Sequence, residues 1–219
     1  MKRSTLSKNG SKSASTTGLK QLVKGVHKFQ HEHFAENKIL FERLAHGQKP
    51  QVLLITCADS RIDPNLITGS QPGDLFIMRN VANLVPQYDP STPTEAGAVI
   101  EYAVSVLGVT DIVIMGHSDC GGIKGVMHPD KLTSLPSVSG WLNHAVSTQG
   151  HCCSVCAESE QLAKMTRSNV LLQLEHLRTY PDVAANLAAG KLHVHGWLYQ
   201  IETGSVSHFD QSKKHWREL

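Results

Sequence analysis

Three short apolar runs, QVLLIT at 51–56, DLFIMR at 74–79 and DIVIMG at 111–116, constrain the fold more than any other feature of the chain. Each is strand-length, rich in aliphatic residues and bounded by Gly, Pro or Asp, so each reads as a buried strand. Around and between them the spacing is helical. Leu19, Leu22, Val23, Val26 and Phe29, then Phe34, Phe41 and Leu44, mark a helical region over 18–46. Asp63-Pro64 opens a short helix, with Pro at a tolerated first position. Residues 94–107 read as a helix stopped by Gly108, a further helix follows Gly121-Gly122, and Trp141 and Leu142 belong to another. Residues 154–180 read as a long helix with a shorter one ahead of Gly190, and 192–200 and 205–209 as a closing pair of strands around Thr203-Gly204. Apolar strands alternating with helices predict an α/β fold with a mainly parallel central sheet flanked by helices. A hydrophobic content of 40% and a charged content of 18% fit a globular chain rather than a disordered one. With no apolar run of membrane-spanning length, no membrane partner is expected.

Charge divides the chain unevenly. Lys2, Arg3, Lys8, Lys12, Lys20, Lys24 and Lys28 precede the first acid, Glu32, so the rest is mildly acidic although the net charge is +2. An acidic body argues against nucleic acid as a partner. Residues 1–18, rich in Ser, Thr, Lys and Gly, read as a disordered basic leader ahead of one domain over 19–219. The leader lacks the apolar core of a secretory signal. Its acid-free composition leaves organelle targeting open beside the simpler cytoplasmic reading.

Two strands end in chemistry. Cys57 directly follows QVLLIT, and His117 follows DIVIMG with Cys120 one short turn beyond. In parallel sheets ligands collect beyond the carboxyl ends of the strands. If these strands are neighbours, two thiolates and an imidazole can converge as a zinc set, and three protein ligands leave a fourth position open, which suits catalysis better than structure. The plain alternative is an inert buried thiol and a histidine packed on a turn. In CADSR (57–61), Asp59 and Arg61 follow Cys57 at two-residue spacing, which in an extended segment sends all three the same way. A surface ion pair is the plain reading. The functional one has Arg61 hold Asp59 ionised and turned aside from a metal it could otherwise cap.

A second cluster, HCCSVC at 151–156, offers Cys152, Cys153 and Cys156. A zinc ribbon needs a second Cys-x-x-Cys pair, which is absent, so free thiols or a redox pair remain. His27, His31 and His33 read as a solvated helix face, and His193 and His195 as a packed pair on one strand face.

CADSR, GHSDCGG, GDLFIMRNVANLVP (73–86) and HGWLY (195–199) together resemble the β-class carbonic anhydrases, especially the plant and cyanobacterial branch. The resemblance spans roughly residues 19–210. It implies Cys57, His117 and Cys120 as ligands of one zinc ion per subunit and Asp59–Arg61 as the catalytic pair. It implies Gln48, Phe76, Tyr102 and the Gly121 backbone N–H as substrate-binding groups; Val81 is a further candidate for the apolar wall that a small nonpolar substrate needs. It also implies a homodimer or higher even oligomer whose N-terminal helices pack on a partner subunit. The regulated branch carries Trp three residues before its first Cys, where this chain has Leu54, so an open site is expected. The implied reaction is reversible hydration of carbon dioxide to bicarbonate through attack by zinc-bound hydroxide. Two rivals are a carbonyl sulfide or carbon disulfide hydrolase on the same scaffold, and a non-catalytic zinc or redox module built on Cys152, Cys153 and Cys156.

Overall fold

The computed structural model describes residues 15–145 and 157–219. The chain divides into two compact units, Met1–Gly47 and Gln48–Leu219. In the first, α1 (Ser15–Lys28) runs through a π turn (Phe29–His33) into α2 (Phe34–Glu36) and then α3 (Lys38–Leu44). The helix takes in the end of the segment read as a leader, and residues 1–14 lie outside the described residues. Phe34 stacks on Phe41 with ring centroids 5.2 Å apart, and Phe29 meets both edge-on. This aromatic knot joins the helices of the unit. Leu19, Leu22, Val23 and Val26 are exposed.

The second unit is an α/β layer structure. In chain order it comprises β1 (Val52–Cys57), α4 (Pro64–Thr68), β2 (Leu75–Asn80), α5 (Glu95–Glu101), β3 (Asp111–His117), α6 (Gly121–Met127), α7 (Pro136–Leu142), α8 (Glu158–Leu177), α9 (Pro181–Ala188), β4 (His193–Tyr199), β5 (Val206–Asp210) and β6 (His215–Glu218). Helix starts follow local chemistry. Asp63 caps α4 by accepting from the Leu66 N–H, and Thr94 caps α5 by accepting from the Gly97 N–H. The second half of the helix expected over 94–107 winds as a π turn (Tyr102–Leu107) before Gly108 stops it in the left-handed region.

The sheet order is β2-β1-β3-β4-β5-β6. The first four strands are parallel, and β5 and β6 close the sheet antiparallel. Strand β6 was not anticipated: HWRE has no apolar alternation, and it is added as an edge through pairing with β5. Alternation splits the core. Leu53, Ile55, Ile112 and Ile114 pack with Ile100, Val170 and Leu174, while Leu54, Val113 and Met115 pack with Ile62 in a separate cluster. Helix α8 lies tight on the sheet because Gly116 offers no side chain. A Cβ there would stand 2.7 Å from Val170 Cγ2. Since the four parallel strands point one way, their ends Asn80, Cys57, His117 and Tyr199 share one edge. Among the described residues, no helix is long and apolar enough to cross a membrane.

Candidate functional site

Cys57 closes β1 and His117 closes β3, and these strands are hydrogen-bonded neighbours with Thr56 level with Met115. Ser118 and Asp119 turn the chain back so that Cys120 stands immediately ahead of α6. The two sulfurs lie 4.0 Å apart, and one ligand atom from each of Cys57, His117 and Cys120 falls within 4.8 Å of the others. All three residues are buried.

His117 Nδ1 lies 2.8 Å from the Ser118 carbonyl, which only accepts, so the ring proton sits on Nδ1 and Nε2 keeps a lone pair. That Nε2 is fully buried with no hydrogen-bond partner. An orphaned buried acceptor is costly and calls for a partner. A tetrahedral ion with zinc–sulfur bonds of about 2.3 Å holds two sulfurs roughly 3.8 Å apart, close to the spacing found. The donor set therefore fits zinc. A hydrogen bond from the Cys120 thiol pulls the Cys57 thiol down, whereas that same bond and burial push Cys120 up. Backbone N–H groups of Asp59 and Ala82 aim at the Cys57 sulfur, and those of Ile123 and Gly122 at the Cys120 sulfur. The main chain is thus already arranged for negative charge on both sulfurs.

Asp59 Oδ2 is 3.9 Å from His117 Nε2, yet the carboxylate is turned onto Arg61. Arg61 Nε and Nη2 donate to its two oxygens at 2.9 and 2.8 Å, and the Arg61 backbone N–H adds a third bond at 3.0 Å. The Arg61 side-chain hydrogen bonds, opposed by burial, hold Asp59 well below the usual carboxylate range. Arg79, from the adjacent strand, donates to the carbonyls of Cys57 and Asp59 at 3.0 and 2.7 Å, bracing the backbone of this loop.

The segment after β2 makes a bend without glycine. Ala82 and Asn83 have φ of 65° and 49°, a strained region for residues with a Cβ. The surroundings over-determine it. Asn80 bridges to Leu84 through both N–H and C=O, Trp141 donates to the Val81 carbonyl, and Asn169 donates to the Ala82 carbonyl. Gln173 accepts from the Val85 N–H, and His176 Nδ1 donates to its carbonyl. Asn169, Gln173 and His176 form a buried polar stripe on α8. Gly122 lets α6 close on this bend, for a Cβ there would meet Ala82 Cβ at 2.8 Å.

The predicted residues fall into two groups. Cys57, Asp59, Arg61, His117, Cys120, Gly121 and Val81 gather at the carboxyl edge of the sheet. Phe76 and Tyr102 meet with tilted rings, centroids 5.9 Å apart, but Phe76 is level with Leu53, four residues before Cys57. That is about 13 Å along the strand at roughly 3.3 Å per residue. Gln48 is exposed ahead of β1, at the same remote end. These three do not join the cluster of their own chain. Cys152, Cys153 and Cys156 lie outside the described residues. His195 pairs with Asp111 at 2.8 Å rather than with His193, which is exposed.

Sequence reasoning missed Arg79, Ser118, Asp119 and the Asn169–Gln173–His176 stripe. The stripe carried a signal, polar residues at i, i+4 and i+7 on a face that also holds Val170 and Leu174. The others carried none beyond membership of a motif.

A carbonic anhydrase family model matches residues 52–206. The chain is 40% identical over 203 residues to a carbonic anhydrase of Pseudomonas aeruginosa, covering 92% of each. It is 41% identical over 196 residues to a carbonic anhydrase of Synechocystis, covering 88% of this chain and 71% of the relative. Among solved structures, the β-carbonic anhydrase CcaA superposes with a TM-score of 0.89 at 38% identity, over 92% of this chain and all of the other.

Proposed function

The chain belongs to the β-class carbonic anhydrases, and from that membership we propose that Cys57, His117 and Cys120 hold one zinc ion per subunit in an enzyme for the reversible hydration of carbon dioxide. The observation that carries the reading is the buried, unpartnered His117 Nε2 facing two sulfurs 4.0 Å apart. Zinc with one open position is a Lewis acid that makes water a nucleophile near neutral pH.

The protein's part is positioning. The Ser118 carbonyl accepts the hydrogen bond of the His117 Nδ1–H and so aims the Nε2 lone pair at the sulfurs. Four backbone N–H groups support charge on the two thiols. Asp59, kept ionised and turned aside by Arg61, can accept a hydrogen bond from an attacking oxygen and direct its lone pair at the substrate carbon. Val81 supplies apolar wall for a small nonpolar substrate, and the Gly121 N–H, at the start of α6, can face its oxygens.

Gln48, Phe76 and Tyr102 serve the site of a partner subunit. They sit about 13 Å from their own cluster by strand rise, and Tyr102 is 45% exposed. A dimer that brings this end of one chain to the carboxyl edge of another completes two sites at once, and the exposed apolar face of α1 suits packing on that partner. Buried thiols that must stay reduced suit a reducing compartment such as the cytosol.

The test is Asp59→Asn with zinc content measured. The expected result is full metal loading with stopped-flow carbon dioxide hydration reduced by roughly 10²-fold or more. Wild-type rates in that variant would remove Asp59 from the mechanism.

A further inference from the structure

The backbone of the Cys57–Arg61 loop is held by Arg79, but the aim of the Asp59 carboxylate depends on its side-chain partner. Asp59 and Arg61 are two residues apart, so their paired side chains form a local unit that can swing together on the held backbone. What ties this unit to the ligand turn is Asp119, 58 residues away in sequence. Arg61 uses Nε and Nη2 on Asp59, and its outer edge faces the turn. Nη1 donates to Asp119 Oδ2 at 3.0 Å, and Nη2 donates to the Asp119 carbonyl at 3.2 Å. The remaining oxygen, Oδ1, pairs with Lys124 on α6, so the carboxylate is gripped on both sides. Asp119 also has φ of 58°, a conformation most side chains avoid and Asp tolerates.

We propose that Asp119 is a positioning residue for the reaction: it anchors Arg61 to the ligand turn and, through Arg61, aims the Asp59 carboxylate alongside the Cys57–His117–Cys120 cluster instead of into it. The proposal rests on the zinc-site reading above and adds a residue to it. Arg61 is substantially exposed, so without the Asp119 carboxylate Nη1 turns to water, and only the longer bond from Nη2 to the main-chain carbonyl of residue 119 still links Arg61 to the turn. The Asp59–Arg61 unit then drifts, and an acid 3.9 Å from His117 Nε2 gains the freedom to compete for the metal's open position.

Two variants test it. Asp119→Gly removes the carboxylate and keeps the left-handed turn unstrained. Asp119→Asn keeps one acceptor oxygen and also tolerates that backbone. The first readout is turnover per bound zinc. The expected loss for Asp119→Gly is about 10-fold in kcat with KM little changed, short of the roughly 10²-fold that a 1 Å misplacement can cost. The second readout is azide affinity of the cobalt-loaded protein, followed by its visible spectrum. A drifting Asp59 competes with azide and weakens it several-fold. Mere removal of a negative charge would tighten azide instead. Asp119→Asn falls between wild type and Asp119→Gly in both readouts, and it carries the test alone if Asp119→Gly does not fold. Turnover within twofold of wild type, or azide affinity unchanged or tighter, overturns the proposal. Asp59→Asn separates the two levels: full activity there removes the role of Asp59 itself, whereas an impaired Asp59→Asn beside a fully active Asp119→Gly removes only Asp119.

Discussion

Gly116→Ala is a single-methyl change whose effect can be worked from the packing. The added Cβ would stand 2.7 Å from Val170 Cγ2, 3.4 Å from Thr166 Cγ2 and 3.6 Å from Leu198 Cδ1. Carbon atoms pack at about 3.5–4.0 Å, so the first contact is about 1 Å too short. Val170 cannot step aside, because it is fully buried and a valine in a helix has essentially one χ1 rotamer. The strain therefore goes into lifting α8, which also carries Asn169 and Gln173, the partners of the bend beside Cys57. Overpacking costs about 1–3 kcal/mol, offset by about 0.5–1 kcal/mol of backbone entropy gained on losing glycine. The net loss is about 1–2 kcal/mol, a fall in Tm of roughly 3–6 °C for a domain of this size. Thermal unfolding of the zinc-loaded protein measures it. The decisive measurement is a double-mutant cycle with Val170→Ala. That change alone removes two buried methyls and destabilises, yet it clears the space the new methyl needs. The double variant should be more stable than the sum of the singles by about 1 kcal/mol or more. Simple additivity, or an unchanged Tm in Gly116→Ala, would refute the packing argument.

Three other outcomes are expected. Mixed dimers pairing one Asp59→Asn subunit with one Phe76→Ala subunit should regain about one intact site, because Phe76 would then serve the partner; mixtures as inactive as the two parents would place Phe76 in its own chain's site. Asn169→Ala leaves the buried Ala82 carbonyl without its donor and should cost about 1–3 kcal/mol, read by chemical denaturation, with zinc affinity lowered as the bend relaxes. Asp210, held down to about 2 chiefly by the Ser212 hydroxyl and then the Lys213 N–H, caps the turn into β6. Its folded pKa lies below the unfolded one, so its support is present above the ordinary carboxylate range and fades as pH falls towards about 2; protection of the β6 amides from hydrogen exchange, referred to an unstructured chain at the same pH, should fall over that window, and Asp210→Ala should remove that fall.

The parts of this protein legible in its sequence are those whose causes are local. A strand-length apolar run announces a buried strand, and a Cys or His immediately after it is carried to the strand end whatever the rest of the chain does. Cys57, His117 and Cys120 could therefore be named, as could Asp59 and Arg61, whose partnership spans two residues. The caps at Asp63 and Thr94 are equally local. The π turn over 102–107, the edge strand β6 and the glycine-free bend at Ala82–Asn83 were not legible, since none follows from its own residues: the π turn packs into the core, β6 exists only by pairing with β5, and the bend needs Trp141 and Asn169 from far along the chain as well as nearby Asn80.

Sequence alone determined which side chains stand at the strand ends and what chemistry they offer, because strand period and side-chain type are properties of neighbouring residues. Only the tertiary structure decided that β1 lies beside β3, which brings the sulfurs within 4.0 Å. It likewise decided that Asp119 grips Arg61 and that Phe76 lies level with Leu53, remote from its own cluster. Sheet order and register are set by burial summed over the whole chain, and no short stretch contains them.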